Sequence, residues 1–241
     1  MTSMLLEACL KGAKEAGANI ERVDLYDLDI QPCIGCLCDE EKACRYPCLI
    51  EDDMRKLYDK VLKADGIILA TPIYWFMPSG VIKNFIDRLT ALENMIVIGD
   101  KSWVEGKVAG IVAAGNDHGA IQVIAPIMTA LVSMGFMIPP FAMAYYVAKN
   151  DEPSDDSLMD AYNLGRNIAI LASLKKGYTS SWYKVLEESE LNELRKAVIT
   201  KAKRLKRLKM PERKALIRKF LQEAGVRVSQ RTRKARSSGL S

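Results

Sequence analysis

Apolar positions recur at helical spacing over residues 2–17, where Met4, Leu5, Ala8, Cys9 and Ala13 share one face and Gly17 supplies a stop. The period then changes: Ile20, Val23 and Leu25 predict a strand over residues 19–26. A second helix is expected over 51–64, opened by Glu51, Asp52 and Asp53, whose charges suit the positive end of a helix dipole. Residues 66–70 form an apolar run between Asp65 and Thr71–Pro72, the pattern of a buried parallel strand stopped by a loop. The helix after that loop carries Val81, Phe85, Ile86 and Leu89 on one face. Further strands are expected at 108–113 and 136–147, and further helices at 120–134 and 154–174. Alternating strands and helices predict an α/β fold, a doubly wound parallel sheet in three α/β/α layers.

Beyond Gly177 the pattern changes. Leu186, Leu191, Leu194, Val198, Leu205 and Leu208 make an amphipathic stripe that ends before Pro211, and a short helix is expected from Pro211 to Gly225. The last residues, 226–241, are too poor in apolar side chains to fold and are expected to be disordered. The organisation predicted is thus a domain over 1–176, a helical extension over 177–225 and a basic tail.

Charge divides at the same place. Residues 1–200 hold 20 Lys/Arg against 28 Asp/Glu, whereas residues 201–241 hold 15 against 2. Any anionic partner, nucleic acid or a membrane surface, is therefore an expectation for the tail alone. No apolar run is long enough to span a bilayer and no signal-peptide pattern opens the chain, which predicts a soluble cytoplasmic protein.

Two stretches carry chemistry. Tyr74, Trp75 and Phe76 stand in a row at the carboxyl end of a buried strand, where open α/β sheets bind flat cofactors; the plainer alternative is a hydrophobic loop packed on its own helix. Five of the six cysteines, Cys33, Cys36, Cys38, Cys44 and Cys48, fall within one loop. Thiolates so close together can turn inward on one soft metal site, an iron–sulfur cluster or zinc, or can serve as loop packing. Cys9 lies on an apolar helix face and reads as core, as do Met128, Met134, Met137, Met143, Tyr145 and Tyr146. His118, the only histidine, reads as a solvated loop residue, the alternative being a donor to a bound cofactor or substrate.

Thr71–Trp75 (TPIYW) followed by Ser79–Arg88 (SGVIKNFIDR) resembles the flavin-binding loop and next helix of the NADPH-dependent FMN reductase family, and Cys48–Met54 (CLIEDDM), upstream, resembles the segment that precedes this loop in its iron–sulfur flavoprotein branch. The resemblance covers residues 2–176. It implies a flavodoxin-like fold, FMN and NAD(P)H as cofactors, electron transfer to an unknown acceptor, a homo-oligomer, and a possible 4Fe–4S cluster. By the same resemblance Thr71, Pro72, Ile73, Tyr74, Trp75, Phe76, Gly115 and Asn116 are the flavin positions, and Thr2 corresponds to the end of the phosphate turn. Cys33, Cys36 and Cys48 match cluster ligands, with the fourth either Cys38, one residue early, or Cys44, which is extra. Lys83, Asp87 and Arg88 read as ion pairs and subunit contacts. The family's first strand and phosphate turn have no counterpart in the sequence, and about 15–20 upstream residues are expected to encode them. The leading expectation is a flavin-dependent oxidoreductase; the alternative is a non-catalytic flavodoxin-like binding protein docked by its basic tail.

Overall fold

Three parallel strands, β1 (Gly66–Pro72), β2 (Val108–Gly115) and β3 (Met143–Val147), form one sheet in the order β1-β2-β3 in the computed structural model. Gly66 stands opposite Val108 and Pro72 opposite Ala114, and Ile111 stands opposite Met143. The helices are α1 (Thr2–Glu15), α2 (Met54–Lys63), α3 (Gly80–Arg88), the short α4 (Thr90–Glu93) and α5 (Met95–Ile98), α6 (Ala120–Ser133), α7 (Asp155–Ser173) and α8 (Glu188–Glu223). The structure describes residues 1–99, 101–148, 152–174 and 186–224.

Strand β2 organises the layers because its alternation serves both faces. Ala109, Ile111 and Ala113 pack into a core with Leu57, Phe85, Ile124 and Leu131 from α2, α3 and α6. Val108, Val112 and Ala114 pack into another with Leu5, Leu158 and Leu164 from α1 and α7. A sheet buried on both sides reads as a continuous apolar run, which VAGIVAAG is. Each fully buried Val or Ile contributes about 1.5–3 kcal/mol. The result is the expected flavodoxin-like three-layer arrangement.

On the second face, α1 and α7 touch backbone to backbone. A Cβ on Gly12 would fall 2.0 Å from the Tyr162 carbonyl oxygen, and one on Gly165 would fall 1.8 Å from that of Cys9. Neither glycine tolerates a side chain, so the two helices lie as close as helices can. Burial raises the pKa of the Cys9 thiol well above its ordinary value, in keeping with a core role.

Three expectations need correction. Residues 19–24 lie in no strand, and a 3₁₀ turn follows at Leu25–Asp27. Alternating side chains specify a strand only where a ladder is available, and among the described residues β1 pairs with β2 alone. Met137, Met143 and Tyr145 are exposed; for Met143 and Tyr145 the reason is that β3, which among the described residues pairs on one side only, buries Ala144 and turns its neighbours outward. Pro211 lies inside α8, so the helix continues where a stop and restart were expected; the proline withholds one amide from the ladder without ending it. The expected disorder of 226–241 lies outside the described residues.

The chain divides into two compact units, Met1–Ile199 and Thr200–Ser241. In the first, Leu186, Leu194 and Val198 of the expected stripe are buried. In the second, the described residues expose Leu208, Leu216, Ile217 and Phe220 on a basic helix.

Candidate functional site

The loop leaving β1 is a tight, left-handed turn. The Tyr74 amide donates to the Met77 carbonyl at 2.9 Å and the Met77 amide returns the bond to Tyr74 at 3.0 Å. The two residues between them, Trp75 at φ 52° and Phe76 at φ 63°, both occupy the region that favours glycine. Such positions cost about 1–3 kcal/mol each and persist where the surroundings over-determine them. Here the base of the turn is fixed by Thr71, whose hydroxyl accepts the Ser79 amide at 3.0 Å and donates to the Pro72 carbonyl at 2.9 Å. The Ile73 amide donates to Ala114, the last-but-one residue of β2.

What the turn presents is apolar and open: Tyr74, Trp75, Phe76 and Met77 are all exposed, Trp75 to 93%. Among the described residues, no hydrogen bond within the chain uses the amides of Trp75 or Phe76. The neighbouring loop is drawn against the turn by two glycines. A Cβ on Gly115 would crowd Ile73, and one on Gly119, at φ +100°, would lie 2.8 Å from the Phe76 ring. Asn116 and His118 are exposed between them. Thr2 opens α1, and beside it the Ser3 hydroxyl is buried without a hydrogen-bond partner among the described residues.

The cysteine loop sits at the other end of α3. Cys33, Cys36, Cys44 and Cys48 line one pocket together with Ile50, Asp87, Arg88 and Ala91. Cys38 is exposed and does not line it. Burial, and after it the neighbouring thiols of Cys36, Cys33 and Cys48, push Cys44 up to about 12. Among the described residues, no three ligand-type side chains converge on a point that a single metal ion would occupy.

The helices after the aromatic turn clamp this loop. Asn84 donates to the Ile30 carbonyl at 3.0 Å, and Asn94 donates to the carbonyls of Glu41 at 2.8 Å and Cys44 at 2.7 Å. Arg88 is 2% exposed. Its NH1 donates to Gln31 O at 3.0 Å and Asp52 Oδ2 at 2.6 Å; its NH2 donates to Ile50 O at 3.4 Å and Asp52 Oδ1 at 3.1 Å. A guanidinium has five N–H donors, and these bonds occupy four. The fifth, on Nε, is buried with no partner among the described residues, a cost of about 1–3 kcal/mol while unmet. Burial opposes the charge on Arg88, but the hydrogen bonds to Asp52 outweigh it and raise its pKa further.

The structure thus brings Thr71–Phe76 and Gly115–Asn116 side by side, and four of the five loop cysteines into one pocket. Sequence reasoning missed Ser79 and Gly119 as the residues that shape the turn, and Arg88 as the centre of the cysteine clamp. A Ser-Gly pair opening a helix marked the first; an arginine within an otherwise apolar helix face marked the last. Lys83 and Asp87 form the expected ion pair, at 2.6 Å on the surface of α3.

Residues 1–150 match the family described as NADPH-dependent FMN reductase. The chain belongs to that family. It is 32% identical over 186 residues to an iron–sulfur flavoprotein of Methanocaldococcus jannaschii, covering 73% of this chain and 92% of that one. To an iron–sulfur flavoprotein of Archaeoglobus fulgidus it is 28% identical over 199 residues, covering 82% and 83%. Among solved structures, RosB with bound 8-demethyl-8-formylriboflavin-5'-phosphate superposes with a TM-score of 0.57 at 19% identity, over 100% of this chain and 89% of that chain, a likeness of fold. As a member of the FMN reductase family the chain is an NAD(P)H-dependent flavin oxidoreductase, which leaves the non-catalytic alternative without support. No helix among the described residues is long and apolar enough to cross a membrane.

Proposed function

We propose that this family member is a two-cofactor electron-transfer enzyme, with FMN at the aromatic turn and a 4Fe–4S cluster in the cysteine pocket. The observation that carries the reading is the placement of Cys33, Cys36, Cys44 and Cys48 around one pocket closed by the helices that leave the turn. FMN supplies hydride acceptance from NAD(P)H, and a cluster supplies one-electron steps.

The residues fit both groups. Unused Trp75 and Phe76 amides can meet the polar edge of a ring, the exposed aromatics can pack near its face, and Gly115–Asn116 lets backbone approach from the other side. The N-terminus of α1, with Thr2 and the partnerless Ser3 hydroxyl, offers donors to a phosphate. A tetrahedral zinc site, at about 2.3 Å per thiolate, needs four sulfurs crowded on one point. A 4Fe–4S cluster takes one thiolate at each iron, so its ligands surround a larger body. Cysteines that line one pocket without converging suit the latter, and Cys44, which faces the pocket, suits the ligand position better than Cys38.

The chain's own part is orientation. Thr71 and Ser79 hold the turn, Asn84 and Asn94 hold the cysteine loop, and hydride and electron chemistry belongs to the cofactors. The exposed Met143 and Tyr145 of β3 support self-association as part of this reading. The test is anaerobic purification followed by assay of flavin, iron and acid-labile sulfide. Equimolar FMN with four irons and four sulfides per chain is expected; flavin without iron, or zinc in place of iron, would reduce the enzyme to a simple flavin reductase.

A further inference from the structure

We propose that the Nε–H of Arg88 is the hydrogen-bond donor to a sulfur of the group in the cysteine pocket, and that through it Arg88 sets the reduction potential of that group. The inference rests on the cluster reading above and adds a residue outside the ligand set.

The geometry points to it in three ways. Arg88 is buried and lines the pocket with four cysteines. Its other four donors are fixed: two on the Asp52 carboxylate, one on Gln31 O and one on Ile50 O. Those anchors hold the guanidinium end-on against Asp52 and flank both ends of the cysteine loop, leaving the Nε edge as the single donor without an acceptor. Two polar side chains of this region are engaged elsewhere. Lys83 holds both Asp87 oxygens, at 2.6 and 2.7 Å, and the Tyr58 hydroxyl donates to Arg88 O at 2.8 Å. Cys48 lines the same pocket as Arg88, and its sulfur, or a sulfide beside it, is the acceptor this proposal gives to the Nε donor.

A donor to a cluster sulfur, and a fixed positive charge next to it, favour the reduced, more negative state and raise the reduction potential. Lysine preserves the charge opposite Asp52 but has neither the Nε donor nor the planar fork. Arg88 is a positioning residue in this account, because it acts through a sulfur and touches no reacting atom of a substrate.

The experiment uses anaerobically purified holoprotein. In an EPR-monitored redox titration, Arg88→Lys is expected to retain full iron and sulfide and to shift the cluster midpoint to lower potential. A second measurement needs no variant. In protein labelled with ¹⁵N-arginine, ENDOR of the reduced cluster should show coupling to one guanidinium nitrogen. An unshifted midpoint in iron-loaded Arg88→Lys, or no arginine coupling in the wild-type spectrum, overturns the inference and leaves the cluster reading standing. Wild-type protein free of iron and sulfide overturns both.

Discussion

Arg88 and Asp52 meet at 2.6 Å with both side chains sealed from solvent. Burial opposes ionisation of Asp52, but the Arg88 hydrogen bond and the Gln31 amide outweigh it and hold the carboxyl below the usual carboxylate range. An unfolded chain protonates this group near 3.8. Below that pH the unfolded state binds a proton the folded state does not, so the contribution of Asp52 is complete only above about pH 5 and is lost as pH falls through the depressed folded pKa. Asp52→Asn should flatten this acid limb. It should also cost about 3–5 kcal/mol at pH 7, since it leaves the Arg88 charge buried against a neutral partner. Urea midpoints of the two proteins at pH 7 and across pH 2–5 check both statements.

Trp75 packs on nothing that folding requires. Replacing it with Ala should leave the thermal midpoint nearly unchanged while weakening FMN binding by about 1–3 kcal/mol, the scale of a lost aromatic stack. Calorimetric titration of apoprotein with FMN measures it, and equal affinity in the variant would move the ring away from this turn.

Gly165→Ala is expected to be among the costliest single-methyl changes in the chain. The added Cβ meets the Cys9 carbonyl backbone, which cannot swing aside as a side chain would, so α1 and α7 must separate. Overpacking of this kind costs about 1–3 kcal/mol or more, and the same applies to Gly12→Ala. Chemical denaturation gives the value; a loss under about 0.5 kcal/mol, the range of ordinary surface substitutions, would show that the helices pack more loosely.

The two extra-motif cysteines should part company. Cys38→Ser should keep the iron and sulfide of the wild type, since Cys38 stands outside the pocket, whereas Cys44→Ser should lose most of both. The opposite outcome would return the third ligand to the position that the family's spacing favours.

The sequence was most legible where cause and effect are local. The run at β1, the break at Pro72 and the apolar face of α3 each follow from neighbours within a few residues, whereas the acidic opening expected for the second helix does not hold: α2 begins at Met54, has no acidic residue in its first turn, and Asp52 is buried against Arg88. It was least legible where the cause lies elsewhere in the chain. Ile20, Val23 and Leu25 have the spacing of a strand, but a ladder needs a second strand and the spacing does not supply it. Gly12 and Gly165 are 153 positions apart in sequence, and only the crossing of their helices makes either necessary. Arg88 could be read as a surface charge because its acceptors are at Gln31, Ile50 and Asp52, far upstream of α3. Spacing left Cys38, one residue early, and Cys44, an extra cysteine, both open, and the fold of the loop separates them.

Helix α3 works as a ruler. At its first residue the Ser79 cap ties it to the strand that ends in the aromatic turn, and at its last Arg88 is seated in the cysteine clamp. The interval between the two is a count of helical residues, and each residue also turns the helix by about 100°. Inserting one alanine between Lys83 and Asp87 would therefore do more than lengthen the spacing by about 1.5 Å: it would rotate Arg88 out of line with Asp52 while the turn stayed where it is. Length and phase are fixed together, so the segment should tolerate substitutions on its exposed side far better than any insertion or deletion.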